Sequence, residues 1–137
     1  MERLVGKYSE ILYAIMRLFV GVLFACHGAQ KLFGALGGQV MTSSPLMLLA
    51  GIIEFGGGIL IAIGLCTGFV AFIASGQMAV AYFKAHAPGG FWPIVNHGEL
   101  AVLYCFVFLY IASHGSGRLS VDALIRKPKQ EHTEARS

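Results

Sequence analysis

Five ionisable side chains stand in otherwise apolar sequence: Arg17, His27, Lys31, Glu54 and Glu99. A carboxyl and an imidazole in an apolar setting can hold and pass protons. An arginine and a lysine beside them can position and charge-balance whatever is acted on. Spacing sharpens this reading. On an ideal helix Arg17, His27, Gly28 and Lys31 fall within a sector of ~80°, with Gln30 at its border and Gly21 on the same face. Further along, Gly51, Glu54, Gly57, Gly58 and Ile61 share one side of a second helix. Its glycines let a neighbouring helix, or a flat ring, approach the backbone.

A charge within a membrane span is costly even on the mildest insertion scale, so Arg17 and Glu54 must face inward. Read by helical rise, the two differ in level by about one turn. The spacing therefore predicts an Arg17–Glu54 ion pair that fixes helix register. The competing reading is a protonatable Glu54 in a quinone or substrate pocket. Lys31 reads as snorkelling to the interface. His27 reads as a hydrogen-bonding or proton-relaying group at the helix end. Asn96 can cap the last helix, and Glu99 in its first turn suits the helix dipole. The functional alternative sets Glu99 against His27 or Lys31 across the mouth of a bundle. Gln77 reads as an interhelical amide.

The elements that carry these groups follow from composition. Of 137 residues, 56% are hydrophobic and 12% are charged, against about 25% charged in ordinary soluble domains. A soluble fold of this size needs more polar surface than the chain possesses. The net charge of +3 forms no basic stripe, which argues against a nucleic-acid binder. Between Glu10 and Arg118 only Arg17, Lys31, Glu54, Lys84 and Glu99 are charged, the pattern of a bilayer-embedded middle with wet ends. Four apolar segments stand out, from about Ile11 to Phe33, Pro45 to Leu65, Gly68 to Phe83 and Leu100 to Ser113. The last two are shorter than the roughly 20 residues that a straight span needs. Cys66-Thr67 leaves almost no connection between the second and third segments. Phe91 and Trp92 suit an interfacial loop.

The expected fold is all-α: an antiparallel bundle of four transmembrane helices with a short C-terminal interfacial helix, Val121 to Ile125, capped by Ser120. Residues 1–126 form the membrane domain and 127–137 a polar, disordered tail. Basic residues before the first segment and after the fourth place both termini in the cytoplasm. Isolated Cys26, Cys66 and Cys105, the absence of Glu-x-x-His pairs and the lack of facing histidines argue against a dithiol engine, a di-iron centre and haem. No haem or metal is expected.

The block RLFVGVLFACHGAQKLFG (Arg17 to Gly34), with its arginine, His-Gly and lysine before an aromatic, resembles the DoxX signature. GIIEFGGGILIAIGLCTG (Gly51 to Gly68) is similar to the glutamate-glycine helix of that family. GELAVLYCFVFLYIASHGSGRLSVDAL (Gly98 to Leu124) is similar to its closing block. His97 is a departure, since many relatives have glycine there. The resemblance implies a four-helix bundle in the bacterial cytoplasmic membrane, in a family named for a subunit of a thiosulfate:quinone oxidoreductase. Its polar motif maps onto Arg17, His27, Lys31, Glu54 and Glu99. The expected function is a redox-linked membrane subunit, as of a quinone-linked oxidoreductase, that binds a quinone or similar small apolar ligand between the first two helices. Glu54 and His27 would handle protons, with Arg17, Lys31 and Glu99 binding or charge-balancing. The rival readings are a non-catalytic anchor for a partner oxidoreductase and a small-molecule carrier. The expected partners are the lipid bilayer, such an oxidoreductase and a second copy of the chain.

Overall fold

A computed structural model describes residues 1–126, all of whose regular structure is helical. The tail expected over 127–137 lies outside the described residues. Helix α1 (Glu2–Phe33) is followed by α2 (Pro45–Ile63) and α3 (Thr67–Gly89), and these three are long and apolar enough to cross a membrane. Helix α4 (Glu99–His114) is apolar but shorter, and α5 (Val121–Ile125) is a single turn and a half.

Local chemistry sets the ends. Pro45 opens α2 after Ser44 in extended conformation, where its missing N–H costs nothing. Gly34, with φ 66°, closes α1 in the left-handed conformation that suits glycine. The α2–α3 turn is as short as the sequence suggests, with Gly64 (φ 78°) and Cys66 (φ 50°) both left-handed. Ser120 caps α5 by accepting from the Ala123 N–H at 3.1 Å. Helix α1 begins well before the apolar segment does, because residues Glu2 to Glu10 continue the helix beyond the region that lipid must cover.

Asn96 does not cap α4. It ends a separate four-residue turn, Pro93–Asn96, and His97 turns left-handed before Gly98 opens α4. The Asn96 side chain instead ties the loop together, accepting from the Gly98 N–H at 2.8 Å and donating to Gly90 O at 2.7 Å.

In lipid there is little hydrophobic gain in bringing helices together, so close backbone packing must hold them. The α1–α2 seam is built that way. A methyl group at Gly21 would lie 2.6 Å from Ala62 N, and one at Gly58 would lie 2.5 Å from Ala25 N. Residue numbers fall along α2 as they rise along α1: Gly21 meets Ala62, Gly28 meets Phe55 and Leu32 meets Gly51. Helices α3 and α4 pair through Ala71 and through Ser75, whose hydroxyl donates to Cys105 O at 2.7 Å. Aromatic rings join the two pairs: Phe24 of α1 lies 4.6 Å from Phe108 of α4, which stacks on Tyr104. The outer surface carries large exposed apolar side chains such as Phe19, Phe69, Phe72 and Phe106, a surface suited to lipid.

Candidate functional site

Glu54 stands in a π turn, Ile53–Gly57, within α2 and is 2% exposed. Lys31 Nζ of α1 lies 2.5 Å from its Oε1, and Gln77 Nε2 of α3 donates to the same oxygen at 2.8 Å. Three helices thus converge on one carboxylate oxygen. Among the described residues the other oxygen, Oε2, is buried without a hydrogen-bond partner, and so is Gln77 Oε1. Buried polar atoms in native proteins nearly always have partners, and an orphan of this kind marks strain, function or a bound group. A second π turn, Tyr82–His86, stands at the end of α3. Such turns interrupt the helix ladder and recur at functional sites.

A cavity of about 230 Å³ opens beside Glu54. Phe24, Met78, Ala101 and Tyr104 form its apolar walls. Glu54, Lys31 and His27 supply the polar part. His27 faces Tyr104 edge-on, with ring centroids 6.2 Å apart. Half-buried His86 and exposed His97 also line it. The space lies among all four long helices, not between the first two. Along the α1–α2 seam the glycines admit a helix and leave no room for a ring: a methyl group at Gly28 would collide with the Phe55 backbone.

The expected Arg17–Glu54 pair does not form. In the observed register Gly28 is level with Phe55, so Arg17 and Glu54 lie about 18 Å apart along the axis. The estimate of one turn assumed that the two segments were centred on the same plane. They are staggered, because the α1–α2 connection folds back on α1, with Met41 N–H donating to Lys31 O and Gly38 packed on Gln30. Lys31 therefore takes the place assigned to Arg17 and does not simply snorkel. Glu99 is exposed at the start of α4 and does not line the cavity. Of the five predicted residues the structure brings together three: His27, Lys31 and Glu54.

Gln77, Tyr104 and His86 were missed as site residues. A lone amide and a mid-span tyrosine carried the available signal, since both are amphipathic groups in a segment that could have been wholly apolar. Only the meeting of α3 and α4 with α2 shows where they point.

Arg17 belongs to a separate cluster at the other end of the molecule. Its guanidinium is 3% exposed and donates to Ser116 O, and to Leu119 O at 2.8 Å. Tyr13 donates to Gly115 O at 2.5 Å. Asp122 of α5 accepts from Cys66 N at 3.1 Å and Thr67 N at 3.5 Å, and from the Ser116 hydroxyl. It thereby caps α3 from a distant part of the chain, since α3 has no side-chain cap of its own. The Ser116 hydroxyl and these N–H groups hold the Asp122 carboxyl below its ordinary value of 3.8. A lowered value stabilises the fold above the unfolded value, and that contribution fades as pH falls through the folded one. Asp122→Ala should cost about 2 kcal/mol, the loss of hydrogen bonds to a charged acceptor. Asp122→Asn should remove part of the fall in stability expected below about pH 4. Thermal unfolding in detergent across that pH range checks both.

The helices, the apolar exterior and the buried ionisable cavity define a helical integral membrane protein with a polar site inside. The family model for DoxX matches residues 12–87, and the chain belongs to the DoxX family. It is 41% identical over 123 residues to an uncharacterized protein of Haemophilus influenzae (strain Rd), covering 85% of this chain and 92% of the relative. It is 26% identical over 134 residues to a Bacillus subtilis (strain 168) protein named "Putative oxidoreductase CatD", covering 91% of this chain and 95% of that protein. No solved structure matches the chain.

Proposed function

We propose that the protein is a redox-linked membrane subunit whose central cavity binds the ring of a quinone or a similar small apolar ligand. The observation that carries this reading is the orphaned Oε2 of buried Glu54, beside a ring-sized cavity walled by Phe24 and Tyr104. Apolar walls with a few convergent polar groups are what a small conjugated carbonyl compound requires. A quinone, when bound, supplies a carrier of two electrons and two protons. Phe24 and Tyr104 offer faces for a flat ring. Lys31 and His27 supply N–H donors for a carbonyl oxygen, and Glu54 holds a proton within the apolar interior. Lys31 charge-balances that carboxylate. Arg17 has no part in this site and ties the chain after α4 to the base of the bundle.

In this reading α4 is the fourth span and the helices alternate in direction. Arg3, Lys7, Arg118 and Arg126 share the side of both termini, opposed by Lys84 near the end of α3. The basic excess puts that side in the cytoplasm of a bacterial cell. The oxidoreductase wording in the name of the Bacillus relative agrees with a redox setting.

The test is direct. Small molecules extracted from protein purified in mild detergent are identified by mass spectrometry. A stoichiometric quinone in the wild-type protein that is absent from folded Glu54→Gln is the expected result. A quinone-free wild-type protein that co-purifies with a soluble oxidoreductase would overturn the reading in favour of an anchoring subunit.

A further inference from the structure

A second cavity, of about 440 Å³, lies on the outer side of the α3–α4 pair. Ala79, Phe83, Val102 and Phe106 line it from the helices, and Phe91 and Trp92 line it from the loop. It shares Met78 and Ala101 with the polar cavity, so one thioether chain and one methyl group form the common wall. The loop above it is fastened. Tyr82 OH donates to Phe91 O, and the Asn96 amide donates to Gly90 O at 2.7 Å and to Tyr82 OH at 3.2 Å. Phe83, Phe106 and Trp92 are largely exposed, so the groove opens on the surface that lipid would cover.

Resting on the proposed reading of the polar cavity, we infer that this groove takes the alkyl chain of the same ligand. The ligand class is then a membrane-borne compound with a ring head and a long chain, entering sideways between α3 and α4. Volume is the first argument. The polar cavity is about 230 Å³, below the roughly 300–1,000 Å³ of pockets that enclose a whole ligand. It houses a ring and little else. Adjacency is the second. The wall between the two cavities is Met78, an unbranched side chain that adapts to irregular neighbours, and Ala101, whose side chain is a single methyl group. Chemistry is the third. The groove has almost no polar group to specify a head, whereas the polar cavity carries Glu54, Lys31 and His27 and is too small for a ring and a chain together. A chain moving from bilayer to groove exchanges one apolar contact for another, so the groove orients the ligand more than it adds affinity. A test must therefore read position.

Two compounds suffice, with full-length protein in lipid nanodiscs. Duroquinone, which has no chain, reports on the polar cavity alone. A benzoquinone carrying an alkyl chain tipped with a diazirine reports on the groove. Irradiation should place crosslinks on the segments around Ala79 to Phe83 and Val102 to Phe106. Excess duroquinone should reduce them about tenfold. Ala79→Phe, or Val102→Phe should the first fail to fold, should remove them while duroquinone still binds. Crosslinks scattered over lipid-facing residues, or unaffected by duroquinone, would overturn the inference and leave the cavity reading standing. Failure of duroquinone to bind wild-type protein would overturn both.

Discussion

Gly28→Ala should destabilise the protein by about 3 kcal/mol, at the upper end of what overpacking usually costs. The methyl group would occupy the position of the Phe55 backbone, and a helix backbone cannot rotate aside as a side chain can. Relief requires the whole α1–α2 seam to open. That also loosens Gly21 against Ala62 and Gly58 against Ala25. Because lipid supplies no hydrophobic pressure to close the gap, lost backbone packing is lost stability. The opening would draw Lys31 away from Glu54, so ligand retention should fall along with Tm. Gly76→Ala is the control, since nothing lies within 4 Å of a methyl group placed there. It should be neutral or slightly stabilising, because alanine is the better helix former. Equilibrium unfolding in detergent of the two variants, side by side, measures how tightly α1 and α2 pack at Gly28.

Removing one member of the buried ion pair should be nearly as damaging. Lys31→Met leaves Glu54 with Gln77 as its sole donor and no counter-charge. Breaking a buried pair from one side costs roughly 3–5 kcal/mol. Lys31 is 27% exposed, so residual solvent screening favours the lower end, about 3 kcal/mol. The double variant Lys31→Met with Glu54→Gln removes both charges and leaves an amide that can still bond to Gln77. It should lie within about 1 kcal/mol of wild type. The double-mutant cycle therefore separates a pair kept for stability from a pair kept for function. A double variant as stable as wild type but empty of ligand places the pair in the site. One whose loss equals the sum of the losses in Lys31→Met and Glu54→Gln would show that the two side chains do not interact.

These expectations rest on features of unequal visibility. The helical segments were legible because lipid imposes length and apolarity on each of them, and the Ser120 cap of α5 acts through neighbouring residues alone. Gly68 and Ser75, both small residues of α3, meet α4. Pairing across helices was not readable in the same way. Arg17 and Lys31 share one face of α1, so periodicity cannot tell which of them meets Glu54. The π turns at Glu54 and His86 leave no mark in a pattern built on 3.6 residues per turn. Asn96 has the chemistry of a cap and stands two residues before Gly98, the N-cap position of α4.

Sequence alone determined that this protein is helical, lies in a membrane, and hides its few ionisable groups from lipid. Each of those follows from the cost of an unpaired charge or an unpaired backbone group in hydrocarbon, a cost that every residue meets on its own. Tertiary structure decided which charge meets which, and where the cavity lies. The stagger of α2 against α1 carries Arg17 to the chain after α4 and Lys31 to Glu54. That stagger depends on how the α1–α2 connection folds back and on glycine faces that close only against one another, a property of two helices together that neither sequence segment holds by itself.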